Sequence, residues 1–152
     1  MNYPRRRIRN FFKHFERHGG EGEFTKIITD DNKDNYEAPL DNMENDEIPL
    51  VICKLNDRHW TLITSERVLI MDDGGFTFMY NADICKADWV EFDLTKYRLL
   101  KSEHTRINLI DRHTNEHMLI VEKGRAFFAL LNGLMYIAHC ENGLKDRDAT
   151  IA

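Results

Sequence analysis

The stretch HWTLITSERVLIMDDGGFTFMY, residues 59–80, decides the fold. Its apolar and β-branched residues come in short runs between turn residues, the pattern of strands rather than of helices. His59 to Ile63 reads as one strand, and Val68 to Met71 either continues it or forms another after Thr64-Ser65-Glu66-Arg67. Asp72-Asp73-Gly74-Gly75 is a strong turn signal. Beyond it Phe76, Phe78 and Tyr80 alternate with Thr77 and Met79, the period of a half-buried strand.

The same character extends to both sides. Upstream, Pro49 to Leu55 forms a strand ended by an Asn56-Asp57-Arg58 turn. Downstream, Trp89 to Leu94 alternates in the same way, and Tyr97 to Lys101 adds a short strand. The clearest hairpin lies between Arg106 and Glu122. Ile107, Leu109 and Asp111 share one face, and after the Arg112 to Glu116 connection Met118 and Ile120 share a face opposite Leu119 and Val121. From Arg125 to Cys140 the period changes: Phe127, Leu130, Leu131, Leu134, Met135 and Ala138 recur every three or four residues, an amphipathic helix that Glu141-Asn142-Gly143 should end. Gly133 inside it is expected to mark a close approach to the sheet.

The expected class is therefore mostly β (α+β): an antiparallel barrel or bent sheet of six to seven strands, sealed by one C-terminal helix. It occupies residues 48–143, with a polar tail at 144–152 and an N-terminal extension at 1–47. The extension opens with a second amphipathic pattern. Ile8, Phe11, Phe12 and Phe15 fall at helical spacing among Arg5, Arg6, Arg7, Arg9, Lys13 and Arg17, before Gly19-Gly20. Such a helix either docks its phenylalanines on the domain or lies on an anionic membrane surface. Residues 21–47 are rich in Asp, Asn and Glu and read as a loop or partly ordered arm.

Three stretches carry a resemblance: Trp60 to Ile70, with its strand, polar turn and Arg67-Val68-Leu69-Ile70 segment; Tyr80-Asn81-Ala82-Asp83-Ile84; and the helix from Phe127-Phe128 to Ile137. Together they resemble bacterial domains of the pleckstrin-homology-like superfold over residues 48–140. The resemblance implies a strand meander closed by a terminal helix, and a lipid-binding, peptide-binding or scaffolding role. Of the basic residues that phosphoinositide-binding members place around the first strand pair, only Lys54 and Arg58 match, with Asp57 between them.

Charge divides the chain sharply. Of 152 residues, 21 are Lys or Arg and 26 Asp or Glu, a formal net charge of -5. Residues 1–20 carry a net +5, residues 21–50 a net -8, and the rest only -2. This balance argues against direct nucleic-acid binding. No run approaches the roughly 18 to 20 apolar residues of a spanning helix. Polar residues break any signal-peptide core near the start, and Cys53, Cys85 and Cys140 form no paired framework, so a cytoplasmic location is expected. Each cysteine sits beside apolar residues and reads as a small buried hydrophobe.

No catalytic constellation stands out, and neither a metal nor another cofactor is expected. His113-Thr114-Asn115-Glu116-His117 matches the H-x-x-E-H string of a metallopeptidase class, but that chemistry needs a helix, and these residues lie in a hairpin connection. His104, Arg106, Arg112 and His113 would serve a nuclease only if the fold brought them together. The informative segment is the acidic one: Asp30, Asp31, Asp34, Glu37, Asp41, Glu44, Asp46 and Glu47, interleaved with Tyr36, Leu40 and Met43. Carboxylates around a few apolar anchors would attract a basic protein quickly and hold it by the anchors. The expected function is a non-enzymatic binding module, such as an immunity or antitoxin-type inhibitor of a basic toxin domain. Asp30, Asp31, Asp34, Tyr36, Glu37, Asp41, Glu44, Asp46 and Glu47 are its candidate contacts. The alternative is a peripheral membrane module anchored through residues 5–17, and a hydrolase or nuclease ranks third.

Overall fold

A computed structural model of the chain describes residues 5–89 and 105–151, with side chains of the last helix as far as Cys140. Helix α1 (Arg5–Arg17) is followed by strand β1 (Thr25–Ile27), a 3-10 turn (Lys33–Tyr36) and a short helix α2 (Glu37–Leu40). Then come β2 (Pro49–Asn56), β3 (His59–Thr64), β4 (Arg67–Asp72) and β5 (Gly75–Tyr80), a 3-10 turn (Asn81–Asp83), β6 (Ile84–Trp89), β7 (Arg106–Asp111), β8 (Glu116–Ile120) and helix α3 (Arg125–Ile151). The class is α+β, with antiparallel strands throughout.

Among the described residues the strands form two sheets, β1-β2-β3-β4-β5 and β6-β7-β8, with no closed barrel. Val68 to Met71 lies in a separate strand rather than continuing its predecessor: Ser65 and Glu66 turn the chain, and β4 pairs back on β3. At the next turn Asp73 and Gly74 take φ of 48° and 85° between the paired residues Asp72 and Gly75. Two positive-φ residues match the twist of the flanking strands, which is why an Asp-Gly pair sits there. Asp83 joins the two sheets, its carboxylate accepting from Arg112 Nε at 2.8 Å and its carbonyl from the Arg112 N–H at 3.0 Å. The readings of Val90 to Leu94 and of Tyr97 to Lys101 as strand fall outside the described residues.

Residues 5–47 are woven into this body. β1 pairs with β2, Thr25 opposite Cys53 and Ile27 opposite Val51, where the sequence suggested a loop. Phe11 and Phe15 of α1 are fully buried with Phe127, Leu130 and Leu134 of α3 and with Val51, Ile63 and Val68 of the larger sheet. The close approach at Gly133 is therefore to α1: a Cβ there would lie 2.6 Å from Phe11 Cε2. Helix α3 does not stop at Gly143 but runs to Ile151, so the segment read as a polar tail is helical. A helix tolerates one interior glycine at about 1 kcal/mol, too little to end it without a cap.

The larger sheet has two covered faces. Val51, Cys53, Ile63, Val68, Ile70 and Met79 point into the main core, and Ile52, Trp60, Leu62 and Leu69 point the other way. Onto that second face fold Ile28, Tyr36, Leu40, Met43 and Met71. The basic helix and the acidic segment thus lie on opposite sides of one sheet. No helix of the described residues is long and apolar enough to cross a membrane.

Candidate functional site

The acidic segment is fastened at both ends. At its start the Glu122 carboxylate accepts the N–H groups of Glu23 and Phe24 at 3.2 and 3.0 Å. Just after β1, Asn32 accepts the Thr29 N–H at 2.8 Å and donates to the Ile27 carbonyl at 2.9 Å, turning the chain into the 3-10 helix. At its end Glu47 is buried. It accepts from Arg67 through Nε at 2.8 Å and through Nη2, from the Thr64 hydroxyl, and from the Glu44 N–H at 3.0 Å. Arg67 Nη2 also donates to the Asn42 carbonyl at 3.0 Å, and its guanidinium lies 4.7 Å from the Phe78 ring centre. Burial alone would raise the Glu47 carboxyl. The hydrogen bonds from Arg67, Thr64 and Glu44 outweigh it and hold the group below the usual carboxylate range.

This fastening divides the residues singled out in the sequence. Asp30, Asp31, Asp34, Glu37, Asp41, Glu44 and Asp46 are exposed. Lys33 reaches Asp30 at 3.6 Å, an exposed pair of little energetic weight. Glu47 instead faces inward and ties the segment to the sheet. Tyr36, Leu40 and Met43, read as anchors for a partner, pack on Ile52, Trp60, Leu62 and Leu69. Burial, with Glu21 nearby, pushes the Tyr36 hydroxyl up. The exposed aromatic surface of the sheet lies elsewhere.

It lies on β5. Phe76, Phe78 and Tyr80 project from one face of the strand and are 40%, 41% and 46% exposed, while Met79 fills the core on the other. Phe78 stands 6.3 Å from Phe76 and 5.5 Å from Tyr80 between ring centres, and Trp60 continues the row 6.2 Å from Phe76. The alternation was legible in the sequence but not its sense, and the more apolar side of β5 faces outward. Next to Tyr80 an open hollow of about 430 Å³ is lined by Glu44, Asn45, Asp46, Glu47, Glu66, Arg67 and Tyr80. Exposed acids and exposed aromatic rings are therefore contiguous.

The other candidate chemistries do not assemble. His113 is exposed in the β7–β8 turn and His117 sits on β8, 3.5 Å from Asp111, so the H-x-x-E-H string straddles a hairpin. Asp111 is held below the usual carboxylate range: partial desolvation acts against this, but the Asn115 and His113 N–H groups outweigh it. Arg106 begins β7 and Arg112 follows its end, about 20 Å apart at strand rise, and Arg112 is engaged by Asp83. His104 lies outside the described residues. Among the described residues no three His, Cys, Asp or Glu side chains are grouped to hold a metal. Cys53 is buried, and burial pushes its thiol up, whereas Cys85 and Cys140 are only half-buried, short of the full burial expected of them. Cys140 lies on α3 and Cys85 on β6, an edge strand of the smaller sheet.

Comparison of the chain with protein-family models, curated proteins and solved structures gave no match.

Proposed function

We propose that the chain is a non-enzymatic protein-binding module that captures a basic partner, in the manner of an immunity or antitoxin-type inhibitor. One observation carries the reading: the acidic segment is fixed on the outer face of the larger sheet, and its exposed Glu44 and Asp46 line one hollow with the exposed Tyr80, whose ring stands 5.5 Å from that of Phe78. Carboxylates steer and select a cationic surface, and aromatic side chains supply desolvated contact area and cation–π partners for lysine and arginine. A fixed acidic surface also binds at lower entropic cost than a disordered tail.

The membrane alternative draws less support. Phe11 and Phe15 of α1 are buried under α3, which leaves Ile8 and Phe12, themselves half-buried, as the apolar side chains the helix could insert. A pleckstrin-homology-like architecture remains part of the proposal: β2 to β5 and β6 to β8 form a four-plus-three arrangement followed by a terminal helix, to which β1 and α1 are added.

The test is affinity purification of the tagged full chain from its native host at low ionic strength. Recovery of a stoichiometric basic protein, lost on Asp30→Asn, Asp31→Asn, Asp34→Asn and Glu37→Gln together, is the expected outcome. An undiminished yield of that protein with the neutralised chain would reject charge-led capture.

A further inference from the structure

We propose that the open edge of β5 is a strand-addition site that takes an extended, basic-ended segment of the partner. This rests on the capture reading above and specifies how the partner is held. Gly75 pairs with Asp72 across the two-residue turn, and beyond the strand the Asn81 N–H donates to the Glu66 carbonyl at 2.9 Å. Between those two bonded pairs an antiparallel ladder alternates. Thr77 and Met79 therefore exchange hydrogen bonds with Ile70 and Val68, and the N–H and C=O groups of Phe76, Phe78 and Tyr80 point away from β4. Among the described residues no strand pairs with them.

Edge strands usually carry a guard: a charge, a proline, a bulge or very short length. β1, at the opposite edge, is three residues long and bears Lys26. β5 is six residues long, has neither charge nor proline, and pairs with β4 without a bulge. Its exposed aromatic row lies where alternate side chains of an added strand would rest.

Charge selects the occupant. Exposed Asp72 and Asp73 stand at the turn end, and Glu66, Glu44 and Asp46 at the Tyr80 end. Arg58 lies 3.1 Å from Asp73, so the turn end is partly compensated and the Tyr80 end is the more acidic. A second copy of this chain, running antiparallel, would set its own Glu66 end against that aspartate turn, acid against acid. A segment with lysine or arginine at its ends meets the opposite sign at both.

The experiment titrates the full chain with three synthetic peptides: alternating valine and threonine between lysine-arginine ends, the same peptide N-methylated at alternate amides on the side that would face β5, and the same sequence with aspartate-glutamate ends. Amide exchange is followed alongside. The basic-ended peptide is expected to bind and to slow exchange at Phe76, Phe78 and Tyr80, with N-methylation weakening it by about tenfold or more. Phe78→Pro and Phe78→Val provide the matching pair in the protein. Both remove the ring, but only proline removes an outward N–H, at an edge position where the fold tolerates it. The proline variant should bind about tenfold more weakly than the valine variant, with both melting as single folded species. Equal binding of methylated and unmethylated peptides overturns strand addition and leaves charge-led capture standing. Equal binding of basic-ended and acid-ended peptides overturns the basic occupant and the reading beneath it. No binding by any of the three overturns the proposal.

Discussion

Glu47 and Arg67, 20 residues apart, form an ion pair whose side chains are 2% and 5% exposed. The pair joins the last residue of the acidic segment to the first residue of β4. Removing one partner leaves the other charge buried, so Glu47→Ala should cost about 3–5 kcal/mol, measured by chemical denaturation. Replacing both, as Glu47→Leu with Arg67→Leu, should recover much of that loss, since two apolar side chains need no counter-charge.

The same pair sets an acid limit. Because the folded Glu47 carboxyl lies below its ordinary value of 4.5, its contribution is fully present above that value and is lost as pH falls through the lower folded value. Stability should drop steeply below about pH 4.5, and less so in the double-leucine variant. Denaturation midpoints across that range provide the measurement.

A second titration acts nearer neutrality. Burial, with the Arg17 and His18 charges beside it, holds the His14 imidazole below 6.5, and its ring stacks on Tyr136 of α3 at 4.8 Å. The unfolded chain then takes up the proton more readily than the folded one, so stability rises with pH through that region. Acidification from about pH 7.5 to 5.5 should lower the melting temperature, and His14→Gln should flatten the slope.

Gly133 tests the packing of the two helices. Alanine is the better helix former by about 1 kcal/mol, yet its Cβ would stand 2.6 Å from the Phe11 ring. Gly133→Ala should therefore destabilise by about 1–3 kcal/mol, and Phe11→Leu in the same chain should relieve part of that, as shown by a double-mutant cycle.

Strands from Pro49 to Tyr80, the Arg106 to Glu122 hairpin and the terminal helix were legible because period and turn chemistry are local. What was not legible depended on partners distant in sequence. β1 is three residues long and exists by pairing with β2, so no periodicity could announce it. The alternation of Phe76, Phe78 and Tyr80 gave the strand but not its sense, because both of its faces are apolar enough to be core. The larger sheet is covered on both sides, but β5 lies at its edge, where the acidic segment reaches only the Tyr80 end and leaves the rings of the strand exposed. In the acidic segment exposure follows charge for every singled-out carboxylate but Glu47. Its burial was set by Arg67 and Thr64, residues that nothing in its own neighbourhood pointed to.

Charge-led capture also has a kinetic signature. Raising ionic strength should slow association with the partner much more than it speeds dissociation, because exposed carboxylates act at long range and the aromatic contacts do not. Stopped-flow rates at two salt concentrations suffice.

The most direct measurement is the affinity of the recovered basic partner for three folded chains: the native one, the one neutralised at Asp30, Asp31, Asp34 and Glu37, and one carrying Phe78→Ser with Tyr80→Ser. If the acidic segment and β5 form one surface, both variants bind at least about tenfold more weakly than the native chain. Native affinity in both would contradict the account.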